Sequence, residues 1–200
     1  YAAGKNNVGQ KSVAIGNYAL GGSSGQSTHS NAENTAVGYF AGYLMDSGER
    51  NTYIGSQAGK NNNGASFSVF VGYAAGKNAT NGGSNVAIGY EAGDSITTGA
   101  ANTFVGKNAG MSTTTGYNNV AIGHQARAGN GNSNVSVGID VLGNSSTGSQ
   151  NVAIGYEVLK SLTSGQYHTA VGYEAGRATT TNNYTTAIGY RAGKLNTASE

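Results

Sequence analysis

The stretch Asn85-Val86-Ala87-Ile88-Gly89-Tyr90-Glu91-Ala92-Gly93-Asp94-Ser95-Ile96-Thr97-Thr98-Gly99-Ala100-Ala101 decides the fold, because the chain repeats it. Its kernel, β-branched–small–Ile/Val–Gly, recurs eleven times and ends at Gly16, Gly38, Gly55, Gly72, Gly89, Gly106, Gly123, Gly138, Gly155, Gly172 and Gly189. Eight of the ten intervals are 17 residues; the others are 22 (Gly16 to Gly38) and 15 (Gly123 to Gly138). A short fixed period marks a stack of small units, each too small to bury a core alone.

With positions counted from the repeat glycine, −1 is Ile or Val throughout: Ile15, Val37, Ile54, Val71, Ile88, Val105, Ile122, Val137, Ile154, Val171 and Ile188. Position −3 is Val or Thr. These two share one face of a short strand, because strand side chains alternate, and the −1 residues are expected to form the repeat core. The other face, position −2, carries Ala14, Ala36, Tyr53, Phe70, Ala87, Phe104, Ala121, Ser136, Ala153, Ala170 and Ala187. A solvated face would hold long polar side chains, so both faces are expected to be covered. Position −2 is therefore the candidate chain–chain interface, with another copy of the chain as its cover.

After the glycine, Ala or Val at +3 and frequent Gly at +4 predict a tight turn and a second short strand. Charges gather at +2 and +5 (Glu91, Asp94, Glu157, Lys160, Glu174, Arg177, Arg191, Lys194), the expected solvent edge. Asn occupies −4 in seven repeats: Asn34, Asn51, Asn85, Asn102, Asn119, Asn134 and Asn151. Stacked coils would align these amides in a ladder, and turn propensity alone would also favour Asn there. The expected fold class is all-β: a parallel β-roll or β-solenoid of eleven coils, trimeric about a common fibre axis. At about 4.8 Å per coil the array would be a rod on the order of 50 Å long. Residues 1–200 read as one repeat array; Tyr1-Ala2-Ala3-Gly4 resembles the middle of a repeat, which predicts a segment of a longer chain.

Composition removes several classes. Glycine is 34 of 200 residues, yet there is no proline and no three-residue period, which excludes collagen. The in-register apolar kernel argues against disorder. Net charge is +2 with basic residues scattered, so no nucleic-acid stripe is present. Without cysteine there is neither a disulfide framework nor a thiolate metal site. No stretch reaches the ~18 apolar residues of a membrane helix.

Catalytic and metal signals are weak. Gly21-Gly22-Ser23-Ser24-Gly25 matches the Gly-x-Ser-x-Gly elbow but lies in the insertion between repeats, where a surface loop explains it. His29, His124 and His168 occupy different repeat positions and lack ligand spacing. Three Asp cannot furnish a calcium roll, and 17 is not a multiple of the six-residue acyltransferase period. No carboxylate pair suited to glycan cleavage is evident. The expectation is no enzyme and no cofactor. The sequons at Asn78, Asn134, Asn144 and Asn183 fit chance in an Asn/Ser/Thr-rich chain, and the insertion Gly21–Ser30 and short loop Arg127–Asn134 fit length drift.

Ser12-Val13-Ala14-Ile15-Gly16, Asn119-Val120-Ala121-Ile122-Gly123 and Asn151-Val152-Ala153-Ile154-Gly155 resemble head repeats of trimeric autotransporter adhesins. The longer units, Val86 to Gly99 and Thr103 to Gly116, are more similar to repeats of bacteriophage tail-fibre proteins. The resemblance spans essentially the whole chain. It implies a parallel β-roll, three chains about one axis, and a receptor-binding rod at the virion or bacterial cell surface. Adhesin heads use shorter repeats, and no coiled-coil stalk or membrane anchor is visible, which favours the phage fibre. Implied partners are further copies of the chain, other fibre or virion proteins, and a host-surface glycan or protein. An ice-binding solenoid needs a regular Thr array, and Thr stands at only five of the −3 positions.

Overall fold

The computed structural model describes residues 11–22, 32–143 and 147–193. His29, Lys194, the sequon at Asn144, the first four residues and most of the Gly21–Ser30 insertion lie outside them. One parallel sheet organises the chain: β1 (Val13–Ile15), β2 (Thr35–Val37), β3 (Thr52–Ile54), β4 (Val69–Val71), β5 (Val86–Ile88), β6 (Thr103–Val105), β7 (Val120–Ile122), β8 (Val135–Ile139), β9 (Val152–Tyr156), β10 (Thr169–Tyr173) and β11 (Thr186–Ile188). Spatial order equals chain order, so each strand pairs only with the coils before and after it. The fold is an all-β solenoid.

Equivalent positions face one another without slippage. Ala36 pairs with Tyr53, Tyr53 with Phe70, and Phe104 with Ala121. Register survives the long interval (Ala14 with Ala36) and the short one (Ala121 with Ser136). Main-chain hydrogen bonds run along the stack on both sides of a strand: Val86 N–H donates to Asn102 O, and Gly89 N–H to Val71 O, both at 2.8 Å.

Four left-handed residues bend each typical coil. In the coil of β5 they are Ser84 (φ 59°), Gly89 (136°), Glu91 (52°) and Gly93 (57°). At Gly89 the obstacle is main chain, since a Cβ there would sit 2.5 Å from Gly106 O of the next coil, whereas one on Gly93 would meet the Ile96 and Phe104 side chains at 2.8 and 2.9 Å. The expected second strand after each glycine is absent among the described residues; turns occupy that segment. The left-handed residues at +2 and +4 break extended geometry there, and the small +3 residues pack inward.

The strand faces are the reverse of the sequence expectation. Position −2 points into the coil: ten of its eleven residues, including Tyr53, Phe70, Phe104, Ser136 and Ala187, are buried within the single chain, and Ala14 is half-buried against that core. These residues are core, and a face already enclosed by its own coil cannot be a chain–chain interface. The −1 residues point outward: Ile15, Ile54, Ile88, Ile122, Ile154 and Ile188 are exposed, while Val37, Val71, Val105, Val137 and Val171 are half-buried. The reason is volume. A coil closed by so few residues is thin, and the inward position must be small or be given room by a neighbour. Rings at −2 sit where +4 is glycine: a Cβ on Gly59 would meet Tyr53 at 2.6 Å, and one on Gly76 would meet Phe70 at 2.6 Å. Where −2 is Ser136 or Ala153, buried Leu142 or Leu159 fills the space from +4.

Candidate functional surface

Alternation does not stop at the glycine. In β8, β9 and β10 the strand runs on to +1, pairing Tyr156 with Tyr173. Positions −3, −1 and +1 thus form three parallel rows on the outer face of the sheet. The first row is Val or Thr, the second Ile or Val, and the third contains Tyr39, Tyr73, Tyr90, Ile139, Tyr156, Tyr173 and Tyr190, all exposed. Parallel stacking puts like rings in contact: Tyr73 on Tyr90 at 5.3 Å, Tyr156 on Tyr173 at 5.0 Å, Tyr173 on Tyr190 at 5.4 Å between centroids. Asn17 begins the row and Ser56, Lys107 and His124 interrupt it, with Lys107 Nζ 5.8 Å from the Tyr90 ring centre.

Three residues wide and ten strand spacings long, this strip covers on the order of 500 Å². That matches the largest contiguous apolar patch of a typical single chain, a size at which such patches often serve as interaction sites. A tight turn beginning at the glycine would give these tyrosines no face in common with the strand. The signal that finds them is the period of two carried through the glycine, −3, −1, +1.

A buried amide ladder supports the strand entry. Asn34 Oδ1 accepts from Asn51 N–H at 2.9 Å, Asn85 Oδ1 from Asn102 N–H at 3.0 Å, and Asn134 Oδ1 from Asn151 N–H at 2.9 Å. Each side-chain amide then donates to a closing-turn carbonyl, as Asn102 Nδ2 does to Gly116 O at 2.8 Å. The links are mainly amide to main chain; Asn102 Nδ2 to Asn85 Oδ1, 3.1 Å, is the direct amide contact of the expected kind. His168 takes the ladder position in its coil, receiving Thr185 N–H on Nδ1. Burial lowers its pKa, partly offset by a main-chain contact with Asn182.

The +2 and +5 positions form an ion ladder at the C-terminal coils. Lys160 Nζ lies 2.5 Å from Glu157 Oε1, Arg177 Nε 2.8 Å from Glu157 Oε2, and Arg191 Nε 2.9 Å from Glu174 Oε2. Lys160 first, then Arg177, holds the Glu157 carboxyl below its ordinary pKa. Glu157 and Glu174 are largely covered by these partners, so only part of the expected solvent edge is open.

Among the described residues no group of three or more His, Cys, Asp or Glu is placed to hold a metal ion, and no helix is long and apolar enough to cross a membrane. No protein-family model, curated protein or solved structure matches the chain.

Proposed function

We propose that this chain is a shaft segment of a viral tail fibre, a rod in which three copies associate in parallel through the −3/−1/+1 face. The observation that carries the reading is the continuous outer strip from Val13 and Ile15 to Ile188 and Tyr190, apolar along most of its length and uncovered in the single chain. A narrow strip along one side of a rod is buried most completely by parallel copies in cyclic symmetry, each presenting the same rows. The count of three and the viral setting rest on the resemblance of Val86–Gly99 and Thr103–Gly116 to tail-fibre repeats. The rod's work is to span distance and present contacts to a host surface.

Light scattering on the native and the denatured chain tests assembly. A threefold native mass supports the proposal; a folded monomer at micromolar concentration overturns it. Immunogold labelling then tests location, with label on tail fibres of virus particles expected and label confined to bacterial outer surfaces favouring an adhesin head.

A further inference from the structure

At the corner where the chain turns into each strand, position −5 is left-handed and exposed in all eleven coils, from Lys11 to Tyr184. Stacking sets successive corner side chains one above another at the strand spacing of about 4.8 Å. The row begins as a chain of contacts. Lys11 Nζ lies 3.4 Å from Glu33 Oε1, Arg50 Nε 2.9 Å from Glu33 Oε2, and the Arg50 guanidinium 5.5 Å from the Phe67 ring centre. It ends in two phenols. The Tyr167 and Tyr184 rings lie 5.1 Å apart, 4° from parallel, and the residues are 46% and 76% exposed.

Composition decides what such a pair can do. The chain has no Trp and no Cys, the side chains that compete with tyrosine for a one-electron oxidant. Of its two Met, Met45 is buried, and Met is oxidised by oxygen addition to a sulfoxide rather than by radical coupling. Radicals formed at this surface therefore settle on phenols, with the unpaired electron partly on the ring carbons ortho to oxygen. A second ring held in contact presents an effective concentration of about 1 mM or more, roughly 10³ times that of other chains at about 1 µM. Coupling within the pair then outruns coupling between chains. Tyr73 on Tyr90 and Tyr156 on Tyr173 stack in the same way, but they belong to the outer strip, which assembly would cover.

We propose that Tyr167 and Tyr184 are a covalent modification site, joined as dityrosine by a haem-peroxidase-type oxidant with hydrogen peroxide, and that the bond staples the coil of β10 to the coil of β11. Each phenol loses one electron and one proton, and the peroxide is reduced to water. The two ortho ring carbons form the new C–C bond, and their hydrogens then move to the oxygens as both rings become aromatic again. The product holds two hydrogens fewer than the parent chain. It ties together corners 17 residues apart, so the intervening coil can no longer unwind from its neighbour. The inference goes beyond the assembly reading, because one chain supplies both rings from a corner outside the three outer rows.

The test treats the full chain, at about 1 µM to suppress coupling between chains, with a haem peroxidase and hydrogen peroxide, then maps linked peptides by mass spectrometry. The expected product is a Tyr167–Tyr184 peptide pair, two hydrogens lighter than its parts and carrying dityrosine fluorescence. In the folded chain it should exceed the Tyr184–Tyr190 link by about tenfold or more, and unfolding in urea should remove that preference, because loop closure then favours the nearer residue in sequence. Tyr167→Phe keeps a ring in the stack but no phenol. It should fold with unchanged Tm and give no linked pair at this corner. The oxidised wild type should release its β11 coil to a protease more slowly than oxidised Tyr167→Phe. Absence of the Tyr167–Tyr184 pair from the oxidised folded chain overturns the proposal. So does an equal yield of Tyr184–Tyr190 in that chain, or equal protease release from the two oxidised proteins.

Discussion

At the scale of single residues, two positions carry opposite lessons about substitution. Gly89 combines φ 136° with a main-chain oxygen 2.5 Å from where a Cβ would sit. Gly89→Ala is expected to cost about 3 kcal/mol or more, through strain and lost stacking, read as a fall in the urea midpoint. His168 is an exception in a ladder otherwise built largely from asparagine. Its pKa is lowered in the fold, so as pH falls below the unfolded value of about 6.5 the unfolded chain binds a proton that the folded chain resists. Stability is then lost progressively until the lowered native pKa is passed. His168→Asn should remove that acid loss, seen by comparing urea midpoints at about pH 7.5 and about pH 5. The hydroxyl of Thr113 is buried without a protein hydrogen-bond partner, so Thr113→Val should stabilise by about 1 kcal/mol in the same assay.

At the scale of the coil, the interior is filled from either of two positions, and exchanging them should be possible. Leu159 reaches over the next coil, since a Cβ on Gly176 would meet its Cδ2 at 2.8 Å. Ala170→Phe alone should therefore clash and destabilise. Adding Leu159→Gly opens the space seen beside Phe70 and Phe104, and its φ of 48° suits glycine. The double variant should recover stability, with a coupling of about 1–3 kcal/mol in a thermal or urea cycle. This exchange also explains how far the sequence was legible. The period, the all-β class and the strand register follow from one kernel, because stacking forces like onto like. The direction of the faces does not. Val and Ile read as core by hydrophobicity, and the thinness of the coil, which reserves its inside for Ala and a few rings, has no local signature. Nor do the left-handed corners, since Arg50, Phe67, Ala101 and Tyr167 occupy one of them.

At the scale of the molecule, the two faces make opposite predictions for one kind of change. Phe70 is fully enclosed by its own chain, so Phe70→Asp should prevent folding rather than association alone. Ile88 is 39% exposed on the outer strip, so Ile88→Asp should leave a folded chain with strand-type circular dichroism. If the proposed trimer forms, that variant should scatter light as a monomer. An Ile88→Asp chain with undiminished native mass would place association elsewhere.

The hydrogen bonds that join neighbouring coils all lie along the rod, and the chain leaves each coil only to enter the next. A single chain held at both ends would therefore resist tension poorly, its coils unspooling one at a time. Each release of a 17-residue repeat lets out about 50 Å of slack, its extended length less one strand spacing. A single-molecule trace should be a sawtooth of nearly equal teeth, with one longer tooth for the 22-residue interval. Sideways partners along the outer strip would have to let go before any coil could, so a fibre would gain tensile strength from the surface its coils leave uncovered.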